Sequence, residues 1–329
     1  MPRIFTTTAR PAPPWAWRRA DEGYGQTAEP DWRTVDWLDH LRQIEIDGRR
    51  ANYVDIGEGE GPPVVFIHGL GGQWQNWLEN IPRVARERRV IAPDLPGFGL
   101  SEDPEDVSIP GYGRFVEALC DCLELGEVAL VGNSMGGFVA AETAIHFPER
   151  AERLVLVSAA GITSHELRHH PGPAVLRVGA ALATYSTARL RAIAARPGLR
   201  HFGLLLVARN PGRLRPDLVY EGLMKGTGKR VFPAALRATL DYDFRGRLPE
   251  IRCPTLIVWG EDDTILPVDD ASEFERLIPD SRRVVLRSTG HVPMVERPEA
   301  FNRTLLEFLT RQPVGEPTPG TRPAPAASS

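Results

Sequence analysis

Short runs of β-branched and aliphatic residues alternate along most of this chain with longer stretches in which apolar positions recur every three or four residues. Residues 43–46 and 51–56 flank the pair Asp47-Gly48, and an Asp-Gly connection between two such runs predicts a β-hairpin. The run PVVFIH at 63–68 is apolar on both phases of a two-residue repeat, as a strand covered on both faces must be. Further strands are predicted at 89–92, 127–131 (EVALV), 153–157 (RLVLV), 255–259 (TLIVW) and 283–286. Helical spacing predicts helices at 74–88, 110–123, 134–147, 268–277 and 298–309. This alternation implies an α/β fold with a mostly parallel sheet and helices on both faces.

The alternation breaks between 161 and 249, where Ala, Leu and Arg recur at helical spacing and no run has strand chemistry. The expected organisation is an N-terminal arm (1–41), a core in two pieces (42–161 and 249–312), a helical lid (162–248) and a disordered tail (313–329) rich in Pro, Ala and Gly. Val155 and Leu256 should lie on neighbouring strands, so the insertion leaves and returns at one sheet edge. Its apolar stretches, 174–195 and FGLLLV at 202–207, could line an acyl pocket.

Composition narrows the function classes. The 329 residues are 42% hydrophobic and 25% charged, enough for a large buried core. A net charge of −4 with interspersed signs leaves no basic field to neutralise phosphates, so nucleic acid is not the expected partner; a small-molecule substrate is. Arginines interrupt the best candidate for a long apolar run, around 174–195, so no integral membrane span is expected. The first thirty residues hold no continuous apolar stretch of signal-peptide length. Three cysteines without metal-type spacing imply no disulfide framework, which fits a reducing, cytoplasmic setting. His165, His169 and His170 are not read as a metal site, and neither a metal nor another cofactor is expected.

Candidate chemistry centres on Gly132-Asn133-Ser134-Met135-Gly136. The motif follows the strand EVALV and opens a helix, which places Ser134 on a tight strand-to-helix turn with its hydroxyl clear of the sheet. A serine hydroxyl needs a base to take its proton. Of the eight histidines, His291 follows the last predicted strand in a loop, where catalytic groups of parallel sheets emerge. The base in turn needs an acid, and Glu261, Asp262 and Asp263 all follow TLIVW closely enough to serve. The backbone N–H groups of Met135 and of Leu70, in the loop His68-Gly69-Leu70-Gly71-Gly72, are the expected oxyanion donors.

From about residue 42 to 310 the chain resembles the α/β-hydrolase superfamily, most closely capped bacterial esterases and carbon–carbon bond hydrolases. The resemblance rests on His68-Gly69-Leu70-Gly71-Gly72, on residues 94–101 (DLPGFGLS), on 132–137 (GNSMGG), on 259–263 (WGEDD) and on Gly290-His291. It implies Asp263 as the acid, and a structural rather than catalytic Asp94. The resulting expectation is hydrolysis of a carboxylic ester of a small or medium apolar substrate through an acyl-enzyme. Two alternatives stand beside it: a carbon–carbon bond hydrolase of dienoic ring-cleavage products, and a non-enzymatic small-molecule receptor on the same fold. Asn133 fits the carbon–carbon hydrolases, which often carry tryptophan after the histidine, whereas here Val292 stands there.

Overall fold

The computed structural model describes residues 23–166, 187–225 and 231–310. Eight strands form one sheet: β1 (Leu41–Ile46), β2 (Arg49–Ile56), β3 (Val64–Ile67), β4 (Val90–Pro93), β5 (Val128–Asn133), β6 (Ala151–Val157), β7 (Thr255–Gly260) and β8 (Ser281–Leu286). Their order is β1-β2-β4-β3-β5-β6-β7-β8. β2 runs antiparallel to both of its neighbours, and every pairing from β4 to β8 is parallel. The predicted hairpin joins β1 to β2 with Asp47 and Gly48 both at positive φ (52° and 71°), the backbone that a two-residue connection between twisted strands requires.

The continuous apolar runs divide between two faces with a period of two. Val65, Ile67, Leu130, Leu154, Leu156, Ile257 and Trp259 face one cluster, shared with helices Ile109–Cys122, Met135–His146 and Asp269–Leu277. Val64, Phe66, Ala129, Val131, Val155, Leu256 and Val258 face the other, with helix Pro298–Thr310 and the Trp74–Val84 region. Phe301 on that second face is fully buried, and removing its ring costs about 3–5 kcal/mol. The edge strand β8 carries Arg282 and Arg283, charges that discourage edge-to-edge pairing.

One sequence expectation needs adjustment. The helix expected at 74–88 is two short turns, Trp74–Trp77 and Ile81–Val84, because Pro82 lacks an N–H and is accommodated only in the first turn of a new helix. Residues 1–22 and 313–329 lie outside the described residues, but from residue 23 the arm is packed, with Tyr24, Ala28 and Trp32 buried. Between β6 and β7 the described residues hold helices and no strand, the helices including Thr187–Ala195, Pro197–Leu204 and Phe232–Asp241; residues 167–186 and 226–230 lie outside them.

From the central strand β3 the chain goes to β4 on one side and crosses back to β5 on the other. That reversal opens a crevice at the carboxyl ends of the strands, where ligands of open α/β sheets bind. Ser134, the helical insertion, Asp263 and His291 follow the carboxyl ends of β5, β6, β7 and β8 respectively.

Candidate active site

Ser134 sits between β5 and helix Met135–His146 at φ 56°, ψ −121°, a backbone conformation that non-glycine residues rarely adopt. The neighbouring glycines make the turn feasible. A methyl group at Gly132 would lie 2.1 Å from the Gly136 carbonyl oxygen, and one at Gly136 would lie 2.3 Å from that of Ile67. Hydrogen bonds hold the strained residue: its N–H donates to Val157 O (3.0 Å), and its carbonyl accepts from Ala160 N (3.0 Å) and Phe138 N (3.2 Å). Ser134 remains partly exposed and lines a cavity.

His291 lines the same cavity. Its Nδ1 lies 2.8 Å from Asp263 Oδ2, with both side chains almost completely buried. The other carboxylate oxygen, Oδ1, accepts from the amides of Ile265 (2.9 Å) and Leu266 (3.0 Å). Because an ionised carboxylate only accepts, this arrangement places the proton on Nδ1 and leaves Nε2 as the basic nitrogen. The competing acids are directed elsewhere. Asp262 pairs with Arg209 Nε at 2.9 Å, and the exposed Glu261 accepts from Ser288 N at 3.3 Å. The His291 backbone is also tethered, its N–H to Val207 O (2.9 Å) and its carbonyl to Asn133 Nδ2 (3.3 Å).

The glycine loop after β3 is braced by His68. Its Nε2 accepts from Leu95 N (2.9 Å), so Nδ1–H donates to Gly69 O (2.8 Å). Burial pushes its pKa down to about 4, so the ring stays neutral through the physiological range and the loop does not titrate. Leu70 of this loop lines the cavity beside Met135. Met135 opens its helix, and first-turn amides have no intrahelical acceptor, so its N–H is available to an anion. Asp94 is buried and accepts from Trp74 N, Asn52 Nδ2 and Leu100 N, which makes it a clamp for its own loop.

The cavity is about 150 Å³. Its apolar wall includes Leu204, Val207, Leu223, Leu236, Leu240 and Ile265. Polar groups come from Asn76, Ser164 and Thr239 besides Ser134, Asn133 and His291; among the described lining residues none is a carboxylate, lysine or arginine. Of the FGLLLV run, Leu204 and Val207 reach the cavity, Leu205 and Leu206 do not line it, and Phe202 is 61% exposed. The described part of 174–195 contributes no lining residue, and 174–186 lie outside the described residues. The buried Glu296, accepting from the amides on both sides of His291, was missed in the sequence, where its only signal is an acid closing the apolar stretch 292–295. Among the described residues no helix is long and apolar enough to cross a membrane, and no group of three or more His, Cys, Asp or Glu could hold a metal ion.

Comparison with known proteins fits this geometry. The model of the alpha/beta hydrolase fold family matches residues 62–298. A 2-hydroxy-6-oxo-2,4-heptadienoate hydrolase of Pseudomonas putida is 31% identical over 292 residues, 82% of this chain and 96% of that protein. A 2-hydroxy-6-oxo-6-phenylhexa-2,4-dienoate hydrolase of Burkholderia cepacia is 31% identical over 286 residues, covering 82% and 94%. Among solved structures, a bacterial membrane phospholipase A superposes with a TM-score of 0.63 at 27% identity, covering 84% of this chain and 88% of that one.

Proposed function

This chain belongs to the α/β-hydrolase fold family, and on that premise we propose that it cleaves a carboxylic ester of a small or medium apolar substrate through an acyl-enzyme on Ser134. The observation that carries the ester reading is the cavity wall: beside Ser134 and His291, none of the described lining residues is a cation. A dienoic acid would bring a carboxylate into this apolar space, and an unpaired buried carboxylate is strongly disfavoured. A neutral ester brings no such charge.

In this reading His291 Nε2 takes the Ser134 hydroxyl proton as Oγ attacks the ester carbonyl. Asp263 fixes the ring tautomer and stabilises the imidazolium, supported by the 2.8 Å contact to Nδ1. The amides of Leu70 and Met135 receive the oxyanion. His291 returns the proton to the departing alkoxide, and a water then cleaves the acyl-enzyme by the same relay. The helical insertion acts as a lid, with Leu204, Val207, Leu236 and Leu240 shielding the acyl group. A cavity of about 150 Å³ holds a benzene-sized group, which suits acyl chains of about four to six carbons.

The second reading, carbon–carbon bond hydrolysis of a dienoic ring-cleavage product, draws support from the names of the two relatives. Asn133, its favourable sign in the sequence, has its amide donating to Val157 O and His291 O. A panel of p-nitrophenyl esters of increasing chain length, run beside 2-hydroxy-6-oxo-2,4-heptadienoate, separates the two. We expect kcat/KM to peak at short-to-medium esters; faster turnover of the dienoate than of every ester would reverse the assignment.

A further inference from the structure

Glu296 is fully buried and bonded to the loop that carries His291, yet the reaction just described gives it no role. Its Oε1 accepts from Gly290 N (2.8 Å) and Val292 N (3.4 Å), the amides on either side of His291. Its Oε2 accepts from Arg209 N (2.7 Å) and from the Tyr24 hydroxyl (2.6 Å). Arg209 lies two residues beyond Val207, whose carbonyl receives the His291 N–H. Tyr24 is also buried; its oxygen accepts from Asn210 N (2.7 Å), and Gly25 N donates to the Glu296 carbonyl (2.8 Å). One carboxylate therefore gathers three otherwise separate segments: the His291 loop, the helical insertion and the N-terminal arm. Gly290 fits the same cradle, since a methyl group there would stand 2.9 Å from Arg209 N and 3.0 Å from Glu296 Oε1.

We infer that Glu296 and Tyr24 form a positioning pair that sets the height and orientation of the His291 ring, making the N-terminal arm a part of the catalytic architecture. The inference rests on His291 being the base of Ser134. The physical argument is one of constraint. Removing the Tyr24 hydroxyl leaves Asn210 N–H without its acceptor and Glu296 Oε2 with one donor fewer, all in buried surroundings where unmade hydrogen bonds are costly. The loop carrying His291 is bonded to the same carboxylate through Gly290 N and Val292 N, so a shift of Glu296 is passed to it. Burial, together with the neighbouring Glu296 carboxylate, holds the Tyr24 hydroxyl well above its ordinary pKa, so it persists as a donor.

The test uses the full chain with Tyr24→Phe, which preserves the ring, and Glu296→Gln, whose amide must present N–H groups to a cradle built of donors. Four quantities are measured well below the melting temperature: kcat and KM on a short p-nitrophenyl ester, the rate of fluorophosphonate labelling, and the NMR signal of the His291 Nδ1 proton. A shift of about an ångström in a catalytic group can cost about 100-fold, so we expect kcat to fall about tenfold in Tyr24→Phe and about 100-fold in Glu296→Gln. KM should stay within about twofold, the labelling rate should fall with kcat, and the Nδ1 proton signal should move or broaden. Tyr24→Phe with lowered melting temperature but unchanged kcat, labelling rate and proton signal would overturn the inference, leaving the pair structural. Failure of the wild type itself to label at Ser134 would instead overturn the nucleophile assignment on which the inference stands.

Discussion

Replacing Asp263 with asparagine tests the hydrogen-bond logic of the site more sharply than any truncation. The side chain keeps its shape, and Oδ1 is already committed to the amides of Ile265 and Leu266. The asparagine carbonyl must occupy that position, because an NH2 group there would face two donors. Its NH2 therefore points at His291 Nδ1, 2.8 Å away, and forces that nitrogen to accept. The ring proton moves to Nε2, the atom that takes the proton of Ser134 in the proposed mechanism. The expected loss in kcat is about 10⁴-fold, or about 5 kcal/mol of transition-state stabilisation. Folding should survive, since the amide contacts and the buried volume are retained. Asp262→Asn is the matched control: it breaks an ion pair to Arg209 between partly exposed side chains, worth about 0–1 kcal/mol, and should leave kcat within about twofold. Ester hydrolysis by the purified variants, with circular dichroism to verify folding, gives the answer. Asp263→Asn retaining more than about a tenth of wild-type kcat, or Asp262→Asn proving the more damaging change, would refute the tautomer argument.

Two further outcomes follow from the cavity and from one buried acid. Leu240→Ala removes part of the cavity wall from a half-buried position, so the preferred acyl chain should lengthen while stability falls by less than about 2 kcal/mol; Leu205→Ala, which does not touch the cavity, should leave the chain-length profile unchanged, and equal profiles for both variants would count against the cavity as the acyl site. Burial raises the Glu79 carboxyl from 4.5 to about 7, so the folded chain binds this proton more tightly than the unfolded one. The stability this contributes is complete below pH 4.5 and is lost as pH rises through about 7, a difference of about 3 kcal/mol. Glu79→Gln should therefore show a smaller fall in melting temperature than wild type between about pH 5 and about pH 8.5, and an unchanged fall would discount Glu79 as its source.

The parts of this molecule legible from its sequence are those fixed by local pattern. Strands such as PVVFIH and TLIVW declare themselves because a sheet covered on both faces admits no polar phase. Ser134 is legible because a tight strand-to-helix turn needs glycine on both flanks, and the crowding at Gly132 and Gly136 is the physical form of that requirement. Asp262 and Asp263 are adjacent, and what distinguishes them is the direction of each side chain: one meets Arg209, the other His291. That direction is set by a loop whose partners come from distant parts of the chain, so spacing alone left the choice open. Glu296 and Tyr24 are separated by 272 residues, and neither has a local signature of the contact they make. In the insertion, helical periodicity was readable, but the rotation that turns Leu204 and Val207 toward the cavity and Phe202 outward depends on packing against other elements.

The central claim is that Ser134 becomes acylated, and mass spectrometry of the protein trapped with a fluorophosphonate reads this directly. The account predicts one adduct, on the peptide containing Ser134, with ester hydrolysis lost in parallel with labelling. Ser134→Ala should fold normally, take up no adduct and lose turnover by several orders of magnitude, about 10³-fold or more. An adduct on a different residue, or a folded Ser134→Ala that still hydrolyses esters within about tenfold of wild type, would contradict it.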